Sequence, residues 1–423
     1  MKRIITIVLA AATVAIAFGA TGTAGSVQPA AAASRQVWAY YFGWYTGDSW
    51  GNGALTDHPA QLYNSGDAGV IGRQIQQAKS AGIDAFIMSW FGPKNGNLTM
   101  GNFNLLLNVA AANGFHAAAS VDMQEGGYNA TTGEVLDSLH TLIGDKVNSP
   151  GYLRYNGKPV IYFWNENRFS AADWATMRSQ VDPGHKTIWV MEGTNTSLLK
   201  TFDGLYLFNI AWSTNFAGTA GGWMSKTFGA GGSFYSATVM PGWDESRLGG
   251  RTNPTSPQAR GTDNQFLIAS WNGAISSGAP VIMIVSWNEY FENSYIEPSQ
   301  KLGTTALDTL RPLTARWKGG SNAPAPIPGG GNASGNPSGG AVANPNATAT
   351  PLPATGDWQG KSITPRVDLL FVRGGPGPDF PSVGMAKRGE VYRITGKPNA
   401  TWYQIDYNGK TGFVYIGSVQ FAN

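Results

Sequence analysis

Eight short segments, largely apolar and almost free of charge, recur between Val37 and Ser286. They are 37–42, 84–89, 116–121, 160–163, 187–191, 204–208, 235–240 and 281–286. Stretches with helical spacing separate most of them. In 70–81, Ile71, Ile75 and Ala78 fall three and four apart, and Gly82 stands where a helix would end. Similar patterns predict helices at 103–113, 133–147, 171–181 and 265–276. Parallel strands cannot be joined by a tight turn, so strand-helix alternation implies a parallel sheet. Eight repeats in about 280 residues predict an α/β fold, a (β/α)8 TIM barrel. An open doubly wound sheet is the alternative, but no G-x-G-x-x-G follows the first strand.

The segments end alike. Trp44 and Tyr45, Trp90, Asp122, Trp164 and Asn165, Glu192, Asn209, Trp243 and Asp244, and Glu289 and Glu292 each follow a predicted strand. In a barrel these ends converge on one rim, and a mouth of Trp, Tyr and carboxylates reads as a sugar cleft. The last segment is the most pointed. A buried-strand run, Val281-Ile-Met-Ile-Val, gives way at once to Asn288, Glu289, Glu292 and Glu297 among Trp287, Tyr290, Phe291 and Tyr295. Three residues apart, on a turn or the first turn of a helix, Glu289 and Glu292 are expected to face one cavity. Glycoside hydrolysis needs such a pair: one carboxyl moves a proton at the leaving oxygen while the other assists attack. Two solvated loop acids would be the plain alternative, and the position after the eighth strand weighs against it.

Composition narrows the classes. Only 13% of the 423 residues are charged, the net charge is +3 and no basic run appears, so nucleic acid is not an expected partner. Cysteine is absent, which excludes disulfides, a thiol nucleophile and thiolate zinc sites. With 4 His, neither a metal nor any other cofactor is expected. Met1-Lys-Arg, an apolar run over 4–20 and Ala31-Ala-Ala read as a secretory signal peptide over 1–33, cut near Ala24 or Ala33; a retained anchor is the alternative. The expectation is a secreted monomer, free of the membrane once the leader is removed, acting outside the cell or at the cell wall.

Residues 34–318 are the predicted barrel, and 319–357, rich in Pro, Gly, Ala, Ser and Asn, a flexible linker. The tail, 358–423, has short alternating strands and an Asn408-Gly409 hairpin turn, the pattern of a small all-β barrel.

Four blocks resemble the family 99 glycoside hydrolases, the endo-α-mannosidase and mannanase group. They are Tyr40-Tyr-Phe-Gly-Trp-Tyr45 with His58-Pro59; Ala81-Gly-Ile-Asp-Ala-Phe-Ile-Met-Ser-Trp90; Phe202-Asp-Gly-Leu-Tyr206 and Met240-Pro-Gly-Trp-Asp244 with Arg251; and Ser286-Trp-Asn-Glu-Tyr-Phe-Glu-Asn-Ser-Tyr-Ile-Glu297. The resemblance implies that Glu292 is the general acid/base. It implies that Glu289 assists the sugar's own 2-hydroxyl in attacking the anomeric carbon, through a 1,2-anhydro intermediate and with retention. Together with the strand-end pattern it implies substrate contacts from Tyr41, Trp44, His58, Trp90, Asp122, Tyr206, Trp243, Asp244, Arg251 and Asn288.

The family has Trp-His between its glutamates where this chain has Tyr290-Phe291. Asn293-Ser-Tyr-Ile-x-Pro is also similar to family 71 α-1,3-glucanases, so α-mannan and α-glucan are both expected substrates. In the tail, Phe371-Val-Arg-Gly-Gly-Pro-Gly-Pro-Asp-Phe-Pro381, Trp402-Tyr and Gly409-Lys-Thr-Gly-Phe-Val414 resemble bacterial SH3-like domains, which implies a cell-wall ligand. The reading is a secreted endo-α-glycosidase. A non-catalytic carbohydrate- or cell-wall-binding protein is the alternative, and a metal-dependent deacetylase lacks its Asp/His triad.

Overall fold

In chain order the first strands and helices are β1 (Gln36–Phe42), α1 (Ala68–Ser80), β2 (Ala85–Trp90), α2 (Leu98–Ala112), β3 (His116–Asp122), α3 (Thr132–Gly144), β4 (Arg154–Tyr155) and β5 (Lys158–Trp164). They continue with α4 (Ala171–Val181), β6 (Ile188–Glu192), β7 (Gly204–Tyr206), α5 (Phe216–Gly229), β8 (Phe234–Val239), α6 (Gln265–Ser276), β9 (Val281–Ile284) and α7 (Thr305–Lys318). Strand β1 pairs in parallel with β2 and β9, and the ring closes through β3–β5. The result is an eight-stranded parallel barrel; the two-residue β4 lies antiparallel against β5. This computed structural model describes residues 35–94, 97–124, 127–248, 258–328, 358–366, 369–376, 382–399, 402–416 and 419–422. The predicted leader at 1–33 and Arg251 lie outside them.

All eight predicted strands form, and five predicted helices form within a few residues of their expected ends. The connection from β6 to β7 carries only a 3-10 turn, Thr196–Lys200. Local signals set the ends of α1: the Asp67 carboxylate accepts from the Gly69 and Val70 N–H groups, and Gly82 takes a φ of +77° just beyond it. Two helices were not expected. The 14 residues of α5 include Gly218, Gly221, Gly222 and Gly229, and each interior Gly costs about 1 kcal/mol of helix propensity. Packing supplies what propensity lacks, because Gly273 of α6 lets Phe216 lie directly on that helix. In α7, Pro312 masks the pattern, yet Ala306, Leu307, Leu310, Leu313 and Trp317 form a buried face.

Side chains alternate along each strand. On β1, Trp38, Tyr40 and Phe42 point into the barrel, while Tyr41 points out onto Phe86 at 4.9 Å. Trp38 plugs the lower end, stacked on Phe234 at 6.0 Å and edge-on to Tyr162. Above it the Tyr40 hydroxyl donates to Ser120 Oγ at 2.9 Å, and the Tyr162 and Ser236 hydroxyls lie 3.0 Å apart. The interior is thus a packed aromatic core in which the Tyr40 and Tyr162 phenols are paired with serine hydroxyls.

The first residues of the predicted linker lie on the barrel. The Asn272 amide donates to the Ala325 carbonyl at 2.8 Å and accepts its N–H at 2.7 Å, so the chain through 328 stays on the barrel; 329–357 lies outside the described residues. The tail is an antiparallel sheet of β10 (Ser362–Pro365), β11 (Leu369–Arg373), β12 (Ser382–Lys387), β13 (Tyr392–Asn399), β14 (Trp402–Tyr407), β15 (Lys410–Tyr415) and β16 (Val419–Phe421), in the order β12-β11-β15-β14-β13-β10-β16. Its core is Ile363, Val372, Ile394, Ile405 and Val414. Asn408 and Gly409 both take positive φ, as a two-residue hairpin turn requires. No helix among the described residues is long and apolar enough to cross a membrane.

Gly204 is a sharp test of the barrel. A Cβ there would strike the Phe234 carbonyl oxygen of the neighbouring strand, a backbone atom that no rotamer change can move. Gly204→Ala is expected to lower stability by about 3 kcal/mol, read as an earlier urea midpoint for the barrel transition; an unmoved midpoint would contradict this packing.

Candidate active site

Past β9 the chain folds into a tight loop that β1 holds in place. The Trp287 N–H donates to the Tyr40 carbonyl at 2.7 Å, extending the parallel ladder. The Asn288 amide then replaces a peptide: its Oδ1 accepts the Phe42 N–H at 2.8 Å, and its Nδ2 donates to the Phe42 carbonyl at 2.9 Å and to Tyr63 Oη at 3.0 Å. The Tyr45 hydroxyl donates to the Asn288 carbonyl at 2.9 Å.

Glu289 follows directly. Its N–H donates to Ser286 Oγ at 2.8 Å, and its Oε1 accepts the Phe291 N–H at 3.0 Å. The Glu292 carbonyl accepts the Asp244 N–H at 2.8 Å, and the Asn293 amide donates to the Asp244 carbonyl at 2.7 Å, so the loop after β8 braces the second glutamate. Behind the loop lies Glu297, buried, accepting from Gln74 Nε2 at 2.6 Å, Tyr63 Oη at 3.0 Å and Tyr290 Oη at 3.2 Å. Burial pushes its pKa up to about 7 against the pull of those donors.

Glu289 and Glu292 open on one cavity of about 500 Å³ at the C-terminal mouth of the barrel. Tyr40, Phe42 and Trp44 line it from the end of β1 and just beyond, Phe91 from the loop after β2, Asp122 and Gln124 from the end of β3 and its loop, and Trp164 and Asn165 from the end of β5 and its loop. Phe208, Leu248 and Phe291 complete the wall. Asp122 accepts from the Ser89 hydroxyl at 2.7 Å, and the protein packed around its carboxyl pushes its pKa up to about 6.

Of the predicted site residues, Trp44, Asp122, Glu289 and Glu292 meet at this cavity. Arg251 lies outside the described residues, and the others do not line it. Tyr41 and Trp90 have the wrong strand parity: Tyr41 bonds Gln74 on the outside of the barrel, and Trp90 packs on Phe103 of α2. Tyr206 points inward but lies in the layer below, fully buried against Tyr40 and Tyr162. Trp243 is buried edge-on to Phe208, and Asp244 braces the loop through its backbone. His58 Nε2 lies 2.9 Å from the Trp50 carbonyl, and Asn288 is spent on Phe42 and Tyr63.

Tyr40, Phe42, Phe91, Gln124, Phe208, Leu248 and Phe291 were not expected at the site. For Tyr40 and Phe42 the missing signal was the period of two counted from Trp38. The strand-end acid Glu192 does not line the cavity either; its Oε1 accepts the N–H of the wall residue Phe208 at 3.2 Å. Glu166, fully buried, accepts the Glu192 N–H at 3.2 Å, and burial, with the nearby Glu192 charge, pushes its pKa up to about 8.

Compared with known protein families, residues 63–309, more than half of the chain, match the glycosyl hydrolase family 71 model. The chain belongs to glycosyl hydrolase family 71. This family 71 glycoside hydrolase carries a second match, to the bacterial SH3 domain, at 368–420, over the C-terminal sheet. It is 23% identical over 287 residues to a glycoprotein endo-alpha-1,2-mannosidase-like protein of Mus musculus, covering 60% of this chain and 62% of that one. The human protein of the same name gives 23% over 288 residues with the same coverage. The matched region therefore spans less than two thirds of these relatives. Among solved structures, the GH99 endo-alpha-mannosidase of Bacteroides thetaiotaomicron superposes with a TM-score of 0.59 at 20% identity, over 67% of this chain and 97% of that one, a likeness of fold.

The buried acids of the hydrolase set a pH dependence of stability. The folded chain holds protons on Glu166 to about pH 8 and on Glu297 to about pH 7, whereas both have an ordinary value of 4.5. Their contribution is whole below about 4.5 and is lost as pH rises through 7 to 8. Urea stability is expected to fall between pH 5 and pH 8.5, and Glu166→Gln to reduce that fall by roughly 3 kcal/mol. An identical pH slope in the variant would count against the buried, protonated Glu166.

Proposed function

We propose that the chain is a secreted endo-acting hydrolase that cleaves internal α-linkages of a polysaccharide at the Glu289–Glu292 loop. One observation carries this reading: two carboxylates from a single braced loop open together on an aromatic-lined cavity. Their surroundings divide the work. Glu289 is buried and aimed by the Phe291 N–H, the setting of a fixed acceptor that can take a proton from a sugar hydroxyl. Glu292 is half-exposed at the wall, where a carboxylic acid can reach a leaving oxygen and later deprotonate water.

In this reading Glu289 draws the proton from the 2-hydroxyl of the sugar being cleaved. That oxygen bonds to the anomeric carbon as the glycosidic bond breaks and Glu292 protonates the departing oxygen. Water, deprotonated by Glu292, then attacks the anomeric carbon and opens the strained ring while Glu289 returns its proton to the 2-oxygen, and two inversions give retention. This chemistry needs a free 2-hydroxyl on the glycone. An internal unit of an α-1,3-linked chain has one, whereas an internal unit of an unbroken α-1,2-linked chain does not. The loop thus favours α-1,3-glucan, or mannan in which an α-1,3-linked unit precedes the cleaved bond. The SH3-like domain would hold the secreted enzyme to a cell-wall ligand.

Wild type is expected to lower the viscosity of such a polymer before many reducing ends appear. Glu292→Gln and Glu289→Gln should each reduce kcat by about 10²–10⁴-fold, and a substrate lacking the 2-hydroxyl should turn over no faster than those variants allow. Binding of α-1,3-glucan and α-mannan by wild type with no release of reducing sugar would sink the enzyme reading in favour of a binding protein.

A further inference from the structure

The ring of strands gives the cavity a direction. In the order β1-β2-β3-β5-β6-β7-β8-β9, strands β2 and β7 stand half-way round the barrel from each other, and β9, whose following loop carries the two glutamates, lies midway between them. The loops at these two opposite positions each bring aromatic rings beyond the cavity wall.

After β2, Phe91 stacks on Trp44 at 5.6 Å and 18° and on Tyr128 at 4.6 Å and 1°. All three rings are half-exposed, and they form a file leading outward from the glutamates. The Phe91 ring also borders a second depression of about 400 Å³, whose polar edge includes Lys94, Glu134 and Asp137. After β7, Phe208 lines the cavity and Trp212 follows on the same loop. Trp212 is 55% exposed, the one exposed tryptophan among the described residues, whereas Trp38, Trp90, Trp174, Trp189, Trp271 and Trp287 are fully buried. Its indole N–H donates to the Asn209 carbonyl at 2.8 Å. The ring's one polar group is therefore satisfied within its own loop, its orientation is held, and an apolar face is left to water.

We propose that the cleft is a groove open at both ends, with an aromatic platform for a glycan chain at each: Phe91 with Tyr128 on one side of the glutamates, Trp212 on the other. The occupant is the neutral glycan of the reading above, on which this inference rests. A pyranose ring lays its C–H face on an aromatic ring and turns its hydroxyls to polar neighbours, and both ends supply such a ring. Holding a chain on both sides of the scissile bond is what makes cleavage internal rather than terminal.

The test uses the full chain carrying Glu292→Gln, so that ligands persist, and measures affinity for α-1,3-linked gluco-oligosaccharides and for α-manno-oligosaccharides of increasing length. Affinity is expected to rise with length until both platforms are reached. Trp212→Ala and Tyr128→Ala should each weaken binding of the longest members about tenfold, and Trp212→Phe and Tyr128→Phe should restore most of it. Restoration by a second aromatic ring separates stacking from misfolding. Unchanged affinity in both Ala variants, with the Glu292 enzyme still cleaving polymer, overturns the platforms and leaves the glycosidase reading standing. No binding by the parent and no hydrolysis by the Glu292 enzyme on either series overturns both.

Discussion

The exchange of hydrogen bonds between the Asn288 amide and the Phe42 peptide is the join on which the barrel mouth and its chemistry both rest. Strand β9 ends at Ile284, but β1 runs on to Phe42, whose backbone is buried there. An unmade N–H or C=O in such a place costs about 1–3 kcal/mol. Asn288 satisfies both groups with one side chain. In doing so it sets the next residue, Glu289, at the rim, so barrel closure and the placing of the two glutamates at the cavity are one event.

The acids around this join fall into two kinds. Glu289, Glu292 and Asp122 reach the cavity. Glu166, Glu192 and Glu297 do not, and each accepts hydrogen bonds that fix something else. Glu297 ties Tyr290, between the two glutamates, to Tyr63 and Gln74. Glu192 holds the backbone of Phe208, and Glu166 holds that of Glu192. On the other side of the loop, Arg260 lies over the Tyr295 ring at 4.5 Å and donates to the Tyr295 carbonyl. Polar groups outside the cavity are thus spent on the frame of the site, at the expense of holding carboxyls in a poor solvent.

Much of this was legible in the residues. Short apolar runs nearly free of charge marked every barrel strand, and the change at Asn288 marked the loop. What was lost follows from physical causes. A period of two means that one residue's slip moves a side chain from the lumen to the outer layer, and Tyr41 was read where Tyr40 serves. Trp90 failed likewise, since a tryptophan at a strand end looks the same whichever way it faces. Helix α5 is glycine-rich and is held by packing against α6, which no local pattern displays. Asn288 looked like a substrate contact because nothing in a single chain reveals that a distant peptide needs its amide.

The alternation along β1 has an evolutionary consequence. Tyr40 and Phe42 face the cavity, while Val37, Ala39 and Tyr41 face the helices. One strand thus carries two independent records, one of selection on the ligand and the other of selection on the packing layer. A lineage changing its glycan can drift at the first set while the second stays still, and divergence between relatives on that strand should fall on alternate residues.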